Sequence, residues 1–103
     1  MRTVPAVSFE GDADFPLKGG AIGYFLDRKA AVFVYARRLH PISLLVFPAG
    51  GLPWPGPEGR AVTSTERGFV VVLWRRGELG HALVSDVDAR DLSALATKLG
   101  AAL

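Results

Sequence analysis

The two histidines, His40 and His81, are the only imidazoles in the chain, and imidazole is the side chain that moves protons or binds metal near neutral pH. Neither has a second histidine or a carboxylate at the spacing a zinc site uses, so a metal centre would need partners brought from distant segments. His40 precedes Pro41 in an expected turn and reads as a solvated loop residue, while His81 begins an expected strand and reads as structural or surface-exposed. The serines, Ser8, Ser43, Ser64, Ser85 and Ser93, show no nucleophile-elbow pattern and no evident base. Gly19-Gly20 is not followed by a helix, so it makes no phosphate-cradling loop. With no cysteine there is no thiol nucleophile, thiolate metal site or disulfide. The expectation is a non-enzymatic protein with no cofactor and no metal.

Residues suited to contact rather than catalysis are easier to find. Arg28-Lys29, Arg37-Arg38 and Arg75-Arg76 fall at expected hairpin turns, and in a plain antiparallel meander Arg37, Arg38, Arg75 and Arg76 emerge at one end of the sheet as a positive rim. Trp54 stands between prolines in a loop, where a large aromatic either folds back over the sheet or meets a partner. Trp54, Arg37, Arg38, Arg75, Arg76 and His81 are the candidate partner or ligand contacts. Phe33, Tyr35, Phe69 and Trp74 lack the basic-aromatic motif of an RNA-binding sheet and are assigned to core packing, with no nucleic acid expected.

The scaffold for these residues reads as α+β: a single antiparallel sheet of about five strands with a C-terminal amphipathic helix on one face. Ala21 to Leu26, Ala30 to Ala36 and Ile42 to Phe47 are short apolar runs between turn-forming residues, and Phe69 to Trp74 and His81 to Ser85 flank Arg75-Arg76-Gly77-Glu78 as a hairpin. Val62 to Glu66 is either a separate strand or the first part of a long strand bent at Gly68. Asp88 is the expected helix cap, with Asp91 in the first turn and Val87 and Leu92 spaced as a hydrophobic staple. Leu92, Leu95, Ala96, Leu99 and Leu103 form one apolar stripe, and Gly100 ends the helix, which spans 88–100. Residues 1–14 are a lead-in, and 48–60, PAGGLPWPGPEGR, is a proline- and glycine-rich surface loop. Several strands are apolar on both alternating faces, so the second face calls for cover by the lead-in, a loop or a partner.

The whole chain of 103 residues reads as one domain, 1–103, and half of its residues are apolar, which disfavours disorder. A formal charge of +2 is too small to argue for nucleic acid or anionic lipid. No apolar run approaches the roughly 20 residues that cross a bilayer as a helix, and Met1-Arg2-Thr3-Val4-Pro5 lacks the apolar centre of a signal peptide.

One resemblance runs from about residue 15 to 99. Phe15-Pro16-Leu17-x-Gly19-Gly20, then Leu26-Asp27-Arg28, an apolar run ending at Tyr35, and His40-Pro41-Ile42-Ser43-Leu44-Leu45-Val46-Phe47-Pro48 resemble the extracytoplasmic portion of bacterial transmembrane anti-sigma factors. Arg67-Gly68-Phe69-x-Val71-Val72-x-Trp74-Arg75, Ala82-x-Val84-Ser85-Asp86-Val87 and Asp88-x-x-x-Leu92 are similar to that family's closing hairpin and helix. Phe47 and Leu73 depart from it, replacing a tryptophan and a more polar residue. The resemblance implies a periplasmic sensor domain of an inner-membrane regulator, which controls proteolytic release of an extracytoplasmic-function sigma factor. It implies a protein partner or protease in the periplasm, with the sigma factor and membrane reached only through a zinc-associated cytoplasmic domain and a membrane helix not in this sequence. A homodimer is left open. The alternative is a free-standing cytosolic protein- or ligand-binding module that uses the basic turns and Trp54.

Overall fold

The computed structural model describes residues 9–25, 27–54 and 56–102. Leu103 of the expected helical stripe, Leu26 of the family-like motif and residues 1–8 of the lead-in lie outside the described residues. The apolar runs form β1 (Leu17–Phe25), β2 (Arg28–Arg37), β3 (His40–Pro48), β4 (Val62–Glu66), β5 (Phe69–Arg76) and β6 (Leu79–Ser85), followed by α1 (Ala89–Lys98). All pairings between these strands are antiparallel, and one sheet results, in the order β1-β2-β3-β6-β5-β4. The α+β class is as expected. The sheet has six strands rather than about five, because β4 is a separate strand, joined to β5 through Arg67 and Gly68, both at positive φ.

The strand order departs from a plain meander. β3 pairs with β6, not with β4, so two three-stranded units share a central seam at Ser43↔Val84, Leu44↔Leu83 and Leu45↔Ala82. The proline- and glycine-rich loop makes this possible by carrying the chain from the centre of the sheet to its far edge. It is anchored along the way, with Ala49 N–H donating to the Glu78 carbonyl at 2.8 Å and Gly59 N–H to that of Arg75 at 2.6 Å.

Alternation along the strands sets two faces. One carries Tyr35, Ile42, Leu44, Val46, Val72, Trp74 and Leu83, all buried beneath α1 and the segment before β1. α1 packs on β5 and β6 with Leu92, Leu95, Ala96 and Leu99 inward. Its start is as read: Asp88 Oδ1 accepts from Arg90 N–H at 2.8 Å, Asp91 lies in the first turn, and Val87 and Leu92 are both buried. Gly100, at φ +103°, takes the left-handed conformation past the helix end, and Arg76 Nη2 donates to its carbonyl at 2.6 Å. The chain then lies beside the long loop, where Ala61 N–H donates to the Ala102 carbonyl and Ala102 N–H to that of Gly59.

On the opposite face Ala30, Phe47 and Ala82 form a smaller cluster with Leu45, Leu52, Trp54 and Leu73. Trp54 has folded back, its ring 6.1 Å from that of Phe47. Gly80 makes room for both. A Cβ built there would lie 2.6 Å from Phe47 Cε2 and 3.0 Å from Trp54 Cη2. Gly80→Ala is therefore expected to lower stability by about 1–3 kcal/mol through overpacking, seen as a reduced urea midpoint at unchanged slope, with the loss shrinking when Trp54→Leu is added to relieve the crowding.

Candidate functional site: a clasp across the sheet edge

The segment leading into β1 is bound to the sheet mainly by side chains. Gly11 pairs with Pro16 in an isolated bridge, and its φ of +99° with a virtual Cβ 2.5 Å from Leu17 N leaves glycine as the residue that fits. Asp12 Oδ1 accepts from the backbone N–H of Asp14 at 3.0 Å and Phe15 at 2.8 Å, so the carboxylate shapes the turn it sits in. Its other oxygen accepts from Lys98 Nζ at 2.7 Å, tying the turn to the last turn of α1. That hydrogen bond, followed by the one from Phe15 N–H, holds the Asp12 carboxyl below its ordinary pKa.

Aromatic and cationic groups complete the attachment. Phe9 stacks on Tyr35 with ring centroids 5.8 Å apart, and Tyr35 Oη donates to the Phe9 carbonyl. Burial pushes the Tyr35 phenol up to about 12, so it stays protonated and able to donate through any ordinary pH. Phe15 is 3% exposed, and the Arg37 guanidinium lies 5.5 Å from the centre of its ring. Arg37 also approaches Asp14 at 3.5 Å and Asp91 at 3.6 Å, bridging the clasp to the first turn of α1. Lys98 lies 5.6 Å from the Phe9 ring centre. The clasp can thus be opened by breaking side-chain contacts, without unzipping the main ladder.

The other sequence candidates separate. Arg37 and Arg38 lie at the β2–β3 turn, whereas Arg75 and Arg76 lie at the β5–β6 turn, beside the β3 end that carries Pro48. The expected positive rim does not form, because β4 is a separate strand and adds one reversal of chain direction, which leaves the two turns at opposite ends of the sheet. Several of these cations serve the fold. Arg28 Nη1 donates to the carbonyls of Pro48 and Gly50, and Arg76 to that of Gly100. Arg38 is exposed at φ +56°, and Arg75 is partly buried with Nε unpartnered among the described residues. Trp54 covers the sheet and is not an exposed tip.

The histidines do not meet. His40 is exposed, with Nδ1 3.0 Å from Asp86 Oδ1. His81 stacks on Trp74 at 4.9 Å with their planes 4° apart, on the face covered by α1. Burial, with the nearby Arg76 charge adding to it, pushes His81 down to about 4. Among the described residues there is no cluster of three or more His, Cys, Asp or Glu side chains that could hold a metal. Register could have identified His81, which lies opposite Trp74 and two residues from Leu83. Nothing local in the sequence pointed to Phe9 and Tyr35, to Asp12 and Lys98, or to buried Ser85, whose Oγ donates to the Pro41 carbonyl at 2.8 Å and accepts from Val87 N–H at 3.2 Å.

Comparison with known proteins adds no relative: no family model, no curated protein and no solved structure matches the chain.

Two outcomes follow from this geometry. Tyr35→Phe removes one donor and leaves the Phe9 carbonyl unpaired, so a loss of about 1 kcal/mol is expected, together with faster amide exchange at residues 9–16 than in β5 and β6. Acid is expected to weaken the fold through His81. Its folded pKa of about 4 lies below the unfolded value of 6.5, so the unfolded chain binds more protons between those values. The contribution is complete above pH 6.5, falls as the pH drops toward 4, and reaches at most about 3 kcal/mol. Urea melts at stepped pH should show this slope in the parent and its loss in His81→Phe, which keeps a ring on Trp74.

Proposed function

We propose that the chain is the extracytoplasmic regulatory domain of a bacterial transmembrane anti-sigma factor, a non-enzymatic element whose clasp governs cleavage and hence sigma-factor release. The observation that carries this reading is the attachment of residues 9–16, made mainly by Tyr35, Arg37 and Lys98. Such a contact opens without global unfolding, and its population shifts when only a few kcal/mol are redistributed. An opened clasp offers extended backbone to a protease, and a stress signal needs only to weaken the closed state. The family-like motifs support the same reading, since Phe15, Tyr35, Ile42, Leu44, Trp74 and Leu92 from its separate pieces share one core cluster. The regulated partner is then a membrane-associated protease in the periplasm, and the sigma factor is bound elsewhere in the parent protein.

A cytosolic contact module built on Trp54 and one basic rim has less support. Trp54 is packed against Phe47, and the arginine pairs at the two turns face opposite ends of the sheet.

The test uses the parent protein in its own cell, with a reporter transcribed by the co-encoded sigma factor. Gly11→Ala forces a Cβ against Leu17 and opens the clasp from its backbone. It should raise basal reporter output and cleavage several-fold, with a folded core by circular dichroism. Unchanged cleavage, despite faster exchange across residues 9–16, would overturn the reading, as would a parent protein with no membrane-spanning segment.

A further inference from the structure

Among the described residues, the face opposite α1 is covered at only one end. Leu52 and Trp54 lie over Phe47, Ala30 and Ala82, and beyond them the sheet presents Val34, Ser43, Val84, Val71 and Phe69. Phe69, expected in the core, is instead 50% exposed because it falls on the uncovered face beside edge strand β4, and Val34, Val71 and Val84 are partly exposed. On this face β3 and β6 carry no charged side chain, and β2 carries only Arg28, held at the loop end by the Pro48 and Gly50 carbonyls; the other alternate residues are Ala30, Val32, Val34 and Ala36, then Pro41, Ser43, Leu45 and Phe47, then Gly80, Ala82 and Val84. The surface is therefore a step, with a raised aromatic loop at one end and bare β-branched sheet at the other.

We propose that the step is a self-complementary interface that pairs two copies of this chain. A two-fold axis lying between the sheets and perpendicular to the strands lays each strand antiparallel over its counterpart. It seats the loop of one copy on the bare half of the other. Charge at the β4–β5 edge selects this arrangement. Glu66 pairs with Phe69 at the bare end, whereas Arg75 pairs with Gly80 at the loop end. Leu73 and Val71 occupy the levels between, so reversing end for end brings Glu66 of one copy to the level of Arg75 of the other. Arg75 has Nε buried without a hydrogen-bond partner among the described residues, and it has no carboxylate within ion-pair distance there.

The size fits a weak, specific dimer. At ordinary strand spacing and rise, the bare half spans about 24 Å by about 14 Å. Because each copy contributes that area and the outer surface of its loop, the pair buries on the order of 1,300 Å², at the lower end of the range for specific interfaces.

Sedimentation equilibrium of the whole chain, from about 1 to 500 µM, tests the proposal. A dimer with a dissociation constant in the tens of micromolar is expected. Val71→Asp, on the partly exposed face and away from the core cluster, should weaken it at least tenfold at a temperature where circular dichroism shows the monomer still folded. Glu66→Arg and Arg75→Glu should each weaken self-association, yet a one-to-one mixture of these variants should associate as well as the parent, since each contact then joins opposite charges. A monomer throughout the range overturns the proposal, as does a dimer indifferent to Val71→Asp or charge variants that the mixture does not rescue. None of these outcomes depends on the regulatory reading above.

Discussion

A sheet whose central strands are apolar on both faces cannot rest on one helix. The seam between β3 and β6 imposes this condition, placing Leu44 and Leu83 on one side and Leu45 and Ala82 on the other. Every later feature answers that demand. α1 covers β5 and β6, the turn before β1 covers Tyr35, and the long loop lays Leu52 and Trp54 over Phe47. Burial of each large side chain contributes about 1.5–3 kcal/mol, so the sum of these coverings rather than any one of them holds the sheet.

Local features were legible in the sequence because their causes are local. The helix has its capping aspartate, its apolar stripe and its terminal glycine within one segment, and the β5–β6 hairpin has its turn between two β-rich runs. The beginning of β1 was harder to see, because Lys18, Gly19 and Gly20 have poor strand propensity; Lys18 falls at a shift in register, and Gly19 and Gly20 are paired with Val34 and Phe33 of β2. The β3–β6 seam was hidden for another reason. Loop closure costs grow slowly with length, so the long loop permits either neighbour, and only side-chain packing across the finished sheet decides between them. The clasp joins residues 26 and 86 positions apart, a distance at which sequence spacing carries no geometric information.

The interior contains polar atoms in defined roles. Ser85 Oγ ties the β6 end to the Pro41 carbonyl and to the backbone N–H ahead of α1, linking the seam to the helix start. His81 stays neutral because burial opposes its charge, which lets an imidazole act as a flat packing surface for Trp74. A histidine held this far down is a poor base at neutral pH.

The clasp also decides how the molecule answers a mechanical load. A pull on the chain ahead of Phe9 would strip the Phe9–Tyr35 and Asp12–Lys98 contacts one after another, in a peeling geometry that yields at small force. The same pull on β1 meets the ladder with β2, where many hydrogen bonds share the tension. The molecule is thus built like a fuse in series with a stiff body, and the N-terminal turn is where tension would be felt before the sheet deforms.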